Sequence, residues 1–295
     1  MPGGPGIDRG IMVAMPWSDA LVRTTFLDSF FLAVTYLGSS YGLVTLLGLY
    51  AWWVSPRQAR RLGLVLGVSF LVNTWLKELL GLPRPYELDP ELATEQAVET
   101  GGGGGFPSGH TQNTTAFWFG LAFRREHGPL YAAAIVMVAL VAASRIYLGV
   151  HFALDILGGL AIGLVLAWLG ARSPQLPRPV GWWVPVVVVA AGALAWWAGD
   201  IYTRALGFLV GCLVARTDRA PSPRRGRRAL VAAGGAALLI VAYVGLDAGI
   251  DLLWAAVPLL ERADPESATA TFLLFASLTW LGLDVWPRWA LEELD

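Results

Sequence analysis

An all-α bundle that crosses a membrane several times is the fold this sequence predicts, and three observations predict it. Of the 295 residues, 56% are hydrophobic and 15% are charged, with a mean hydropathy of +0.57, which is too apolar for a domain dissolved in water. Apolar stretches approaching the ~20 residues that cross a bilayer recur along the whole chain. Basic residues crowd alternate connections between those stretches, as the retention of Lys and Arg on the cytoplasmic side requires. A net charge of -1 excludes nucleic acid as a partner, because neutralising a phosphate backbone takes a basic surplus.

The first ten residues, MPGGPGIDRG, lack the basic stretch and apolar core of a secretory signal, and the interfacial segment is expected to span residues 1–25. Within them Ile11 to Thr25 carries Asp19 and Arg23 among apolar residues and reads as a helix lying at the interface. Nine candidate spans follow: Phe26 to Val54, Leu62 to Gly81, Pro107 to Phe123, Pro129 to Tyr147, Phe152 to Ala171, Gly181 to Ala198, Ile201 to Ala215, Ala229 to Leu246 and Ala268 to Trp286. The third begins with polar residues, which requires that end to be buried in protein or to face a water-filled cavity. Cys212, the single cysteine, reads as a small packing residue.

Fourteen of the 21 basic residues fall on one set of connections, among them Arg57, Arg60, Arg61, Arg124, Arg125 and the cluster from Arg216 to Arg228. That set is expected to be cytoplasmic, with the N-terminus outside and the C-terminus inside. Paired tryptophans such as Trp52/Trp53 and Trp196/Trp197 fall where interfacial belts are expected.

Three stretches carry residues suited to chemistry. KELLGLPRP holds Lys77, the only lysine, and Arg84 between two prolines; on its own it also reads as a snorkelling Lys beside an interfacial Arg. In FPSGH, Ser108 is a natural N-cap, Gly109 admits close approach to the backbone, and His110 can exchange a proton. A capped helix start with an exposed His fits that stretch equally well. SRIYLGVHFALD places His151 and Asp155 four residues apart, so that the carboxylate shares a helical face with the imidazole, as a catalytic or a purely structural pair.

The assembly discriminates where the single stretches do not. By the span count Lys77, Arg84, His110, Arg145, His151 and Asp155 all reach the extracytoplasmic side, although they come from three separate regions. Three cations around a nucleophile and an acid or base suit phosphoryl transfer, whose transition state spreads negative charge over three oxygens. No metal or cofactor is expected: ligand spacings for zinc are absent, and Lys and Arg would repel a cation.

These three stretches resemble the signature motifs of the type 2 phosphatidic acid phosphatase (PAP2) superfamily, over roughly Leu62 to Ala171. That superfamily includes lipid phosphate phosphatases, phosphatidylglycerophosphate and undecaprenyl pyrophosphate phosphatases, glucose-6-phosphatase and vanadium haloperoxidases. The resemblance implies that His151 attacks phosphorus, Asp155 orients it and His110 protonates the leaving alkoxide. It further implies that Lys77, Arg84 and Arg145 clamp the phosphoryl oxygens, with the Ser108 hydroxyl and the Gly109 N–H completing the cradle.

The expected organisation is an interfacial segment (1–25), a PAP2-like catalytic core (26–171) and a C-terminal transmembrane extension (172–295). Sphingosine-1-phosphate phosphatases are similar in placing the motif core first. The added helices are expected to pack a homo-oligomer, to line a lipid entry path or to do neither. The acidic, Gly-rich stretch from Tyr86 to Gly105 reads as a lid or as a connector. The expected activity is hydrolysis of a lipid phosphate or pyrophosphate in a prokaryotic cell membrane; a vanadate haloperoxidase and a non-catalytic lipid-binding or transport protein are the competing readings.

Overall fold

The computed structural model describes residues 25–173, 183–198, 200–217, 230–239, 241 and 268–292. The expected interfacial helix, most of the basic stretch from Arg216 to Arg228 and much of the span Ala229 to Leu246 lie outside the described residues. Those described are helical, with no β-strand among them.

The first expected span is two helices, α1 (Thr25–Gly38) and α2 (Ser40–Trp53), bent by 59° where they meet. Ser39 makes the break: its Oγ accepts the Gly42 N–H at 3.1 Å and donates to the Tyr36 carbonyl at 2.7 Å, diverting that carbonyl from the helical ladder. The continuous run Phe26 to Val54 is therefore corrected to a broken one. A Gly-Ser pair is a common origin of such kinks.

Next comes α3 (Pro56–Leu80), capped by Ser55 with Pro56 in its first turn and ended by Gly81 in the left-handed region, φ 53°. Two short helices, α4 (Pro85–Leu88) and α5 (Glu95–Glu99), organise the acidic stretch after it. The core is completed by α6 (Gly109–Arg125), α7 (Gly128–Tyr147) and α8 (Ala153–Arg172). Beyond it lie α9 (Trp183–Ala198), α10 (Asp200–Val214), α11 (Leu230–Leu239), α12 (Ala268–Trp280) and α13 (Trp286–Glu292), the last two joined by a π-helical turn, Leu281–Val285.

Among the described residues three helical stretches are long and apolar enough to cross a bilayer: Pro56–Leu88, Gly128–Tyr147 and Ala153–Arg172. The bent α1–α2 pair makes a fourth if it counts as one span. Of the nine spans read from the sequence, Leu62 to Gly81, Pro129 to Tyr147 and Phe152 to Ala171 are met by these helices; α10 and α11 are apolar but short.

Helix α6 sits at the centre, packed on α3, α7 and α8. Its polar first half, Thr111 to Thr115, is buried, which is how the sequence tolerates hydroxyls and amides at membrane depth. The closest helix pair is α6 against α8. A Cβ on Gly159 would stand 2.6 Å from the Ser108 carbonyl oxygen, and one on Gly163 2.5 Å from that of Gln112, so glycines four apart let the two backbones touch.

Candidate active site

The site forms at one end of the core, where α3 ends and α6 and α8 begin. Helix α6 starts at Ser108, whose buried Oγ accepts hydrogen bonds from the N–H and hydroxyl of Thr111, at 3.5 and 3.1 Å. The Ser108 N–H donates to the Asp155 carbonyl at 3.0 Å, which ties the beginning of α6 to that of α8. Gly109 passes so close to Asn73 that a Cβ would lie 2.7 Å from its Oδ1.

His151 is reached through a turn at Gly149, φ 71°, where a Cβ would collide with the Leu92 carbonyl oxygen; only glycine fits that conformation and that space. The imidazole is 1% exposed, and its Nδ1 lies 3.2 Å from Asp155 Oδ2. The same carboxylate oxygen accepts the Phe152 N–H at 2.9 Å, so Asp155 caps the first turn of α8 while it aligns the ring. With Nδ1 directed at the carboxylate, Nε2 keeps its lone pair in the tautomer this contact favours. Burial, and then the charges of Arg84, Arg145 and Lys77, hold the His151 pKa well below the usual 6.5, so the ring is neutral.

The three cations are anchored mainly by uncharged groups. Lys77 Nζ donates to the Gly102 carbonyl at 2.9 Å. Arg84, 1% exposed, donates to the carbonyls of Gly102, Gly103 and Val150 at 2.8, 3.0 and 3.4 Å. Arg145 is fully buried and spends one nitrogen on the hydroxyls of Thr35 and Thr100, at 2.5 and 2.8 Å. Its Nε and Nη2 are buried without a hydrogen-bond partner among the described residues, as is His110 Nε2. Unsatisfied buried donors cost free energy, and a bound anion would satisfy the arginine nitrogens.

Lys77, Arg84, Gly109, His110 and His151 line one cavity of about 280 Å3. Arg145 stands behind Thr35 and Thr100, which also line it; Asp155 supports His151 from below. Of the eight residues singled out in the sequence, five face the cavity and three back it. Ser108 lies within the wall, with its hydroxyl held by Thr111.

Sequence reasoning missed the polar scaffold between α3 and α6. Asn73 Nδ2 donates to the Pro107 carbonyl and to Gln112 Oε1, both at 3.1 Å. Gln112 in turn donates to the Ser69 carbonyl at 2.9 Å, and Ser69 Oγ to Asn113 Oδ1 at 2.7 Å. Ser69, Asn73 and Lys77 are spaced four apart, so one polar stripe on an otherwise apolar helix was the available signal. The acidic stretch proved to be neither a free connector nor only a cover: its glycine carbonyls hold Lys77 and Arg84.

Comparison with known proteins gives the family. The PAP2 superfamily model matches residues 58–178. Phosphatidylglycerophosphatase B of Bacillus subtilis (strain 168) is 33% identical over 163 residues, covering 50% of this chain and 76% of that one. Sphingosine-1-phosphate phosphatase 2 of Mus musculus is 30% identical over 174 residues, but the match spans only 48% of its length. The crystal structure of a transmembrane PAP2-type phosphatidylglycerolphosphate phosphatase from Bacillus subtilis is 32% identical, with a TM-score of 0.44, covering 52% of this chain and 80% of that one. On the one-third identity across three quarters of the Bacillus enzyme, the chain belongs to the PAP2 superfamily and is, like these relatives, a phosphatase.

Proposed function

We propose that the chain removes phosphate from a membrane lipid through a phosphohistidine on His151, at the extracytoplasmic face. One observation carries the reading: a buried, neutral imidazole aligned by Asp155 meets Lys77, Arg84 and His110 on a single cavity. In this scheme His151 Nε2 attacks phosphorus as the bond to the lipid oxygen breaks, and His110, brought to its protonated form by the negative charge of the bound phosphate, gives a proton to that oxygen. Water then attacks the phosphohistidine, His110 takes up a proton from it, and phosphate leaves with His151 restored. Lys77, Arg84 and Arg145 stabilise the charge on the equatorial oxygens, so the chemistry asks for no metal.

The distribution of basic residues supports that face. Arg57, Arg60 and Arg61 begin α3, whereas Lys77 is in its last turn; Arg124 and Arg125 end α6, whereas His110 is in its first. The chemistry and the cytoplasmic clusters thus occupy opposite ends of the same helices. The Bacillus relative is named for phosphatidylglycerophosphate and the mouse one for sphingosine 1-phosphate, two lipids with a terminal phosphate monoester.

The test is phosphate release by detergent-purified protein, with EDTA present, from phosphatidic acid, phosphatidylglycerophosphate, undecaprenyl pyrophosphate and sphingosine 1-phosphate. Turnover that persists in EDTA and is blocked by vanadate is expected. Release from none of the four, or halide oxidation on adding vanadate, would overturn the proposal.

A further inference from the structure

A second cavity, about 440 Å3, lies between the core and the C-terminal extension, and it shares Ser40, Tyr41, Asn73 and Asn113 with the phosphate cavity. One wall is a single face of α2: Tyr41, Val44, Thr45, Gly48 and Trp52 recur at helical spacing. The facing wall is built by residues beyond the PAP2 match, chiefly Ala205 and Phe208 of α10 and Phe275, Leu278 and Thr279 of α12. The floor is closed where Trp52 Nε1 donates to the Gly282 carbonyl at 2.8 Å, beside Leu239 of α11. From Tyr41 to Trp52 the face rises about 16 Å.

Polarity is graded along that depth. Asn73 and Asn113 stand at the shared end, with their amides already engaged by Pro107, Gln112 and Ser69. The rest of the lining is mainly apolar, with Arg204, Thr45, Thr74 and Thr279 as its polar members. Exposed Tyr41 and Val44 flank its side, which leaves a lateral way in from the bilayer.

We infer that the C-terminal extension completes a chamber for the hydrocarbon chain of the substrate, continuous with the phosphate cavity, so that α10 and α12 measure chain length while the core performs the chemistry. The inference rests on the phosphatase reading and assigns its substrates to phosphates carrying a long, linear apolar chain. Adjacency argues the occupant: the four shared residues set this chamber directly beside the cavity lined by His151 and Lys77, on the side where a chain attached to a phosphate there would be received.

Gly48 offers the test. A Cβ there would meet only the Trp52 ring, no nearer than 3.5 Å, so Gly48→Phe fills the chamber about 10 Å below Tyr41 without striking backbone. Alkyl phosphates of four to six carbons should be turned over by Gly48→Phe within about threefold of the unaltered chain, while a sixteen-carbon phosphate should lose tenfold or more in kcat/KM. A diazirine at the far end of the sixteen-carbon phosphate should label α10 or α12 near Phe208, Phe275 and Thr279. Equal loss on short and long chains, with label only on lipid-facing positions such as Val136 and Val165, would overturn the chamber. No turnover of any alkyl phosphate by the unaltered chain would instead remove the phosphatase reading, and the labelling would still decide whether the chamber takes a chain.

Discussion

The catalytic core and the C-terminal extension are joined by the same packing device and filled with opposite chemistry. In the core, Gly159 and Gly163 bring α8 onto the backbone of α6; in the extension, Gly207 and Gly211 bring α10 onto α12, where added Cβ atoms would lie 2.5 Å from the Phe272 carbonyl oxygen and 2.7 Å from that of Ala276. Beside the first seam stand Ser108, Thr111, Gln112 and Thr115, all fully buried; beside the second the buried cluster is Leu206, Val210 and Phe272. Small residues four apart therefore explain close helices in both regions and explain chemistry in neither. What distinguishes the core is that most of its buried polar groups are given partners, several of them main-chain carbonyls, while Arg145 Nε and Nη2 and His110 Nε2 are left without one among the described residues.

Five substitutions break or sharpen that contrast. The largest effect is expected from His151→Ala, which should lower kcat roughly 10^4-fold or more and abolish the acid-labile phosphoprotein seen after rapid quench with radiolabelled substrate. Arg145→Lys comes next. An ammonium replaces the planar fork and leaves Thr35 and Thr100 to compete for fewer donors, so kcat/KM should drop about 10^2-fold with the protein still folded. Retained activity in that variant would mean that Arg145 serves packing alone.

The two seams can then be set against each other. Gly163→Leu and Gly211→Leu should each destabilise by about 1–3 kcal/mol, read as lower Tm in detergent. Only the first should also slow hydrolysis of a short-chain phosphate, because α6 carries His110 and α8 carries Asp155, which holds His151. Equal slowing would show that the extension shapes the phosphate site itself.

The smallest effect concerns acid. His151 is held neutral in the folded chain, so below pH ~6.5 the unfolded chain takes up a proton that the folded one refuses. Its contribution to stability is full above that pH and is lost as pH falls, by at most about 1.4 kcal/mol per unit. Between pH 7 and 5 the Tm of His151→Gln should therefore fall less than that of the unaltered chain.

Legibility divided along the same line. The grouping of the eight candidate residues was readable because each sits in a short ordered stretch, and because the alternation of basic loops predicted one side for all of those stretches. Ser108 was readable as a cap because capping is local. The hydrogen bonds from Asn73 to Pro107 and Gln112 join positions 34 and 39 residues apart, and no local rule reaches that far. Hydropathy was misleading at Phe26 to Val54, since a window average is blind to one hydroxyl that ends a helix; the Gly38-Ser39 pair was the overlooked clue. In the extension, apolarity alone could announce helices but not which walls they would share.

Asp155 Oδ2 serves the imidazole and the Phe152 amide at once. Swinging His151 off line therefore means either parting it from that oxygen or unwinding the first turn of α8, and the twenty residues of α8 are seated on α6 along their glycine seam. The orientation of the His151 ring is thereby tied to the first turn of a helix as well as to its own side-chain torsions.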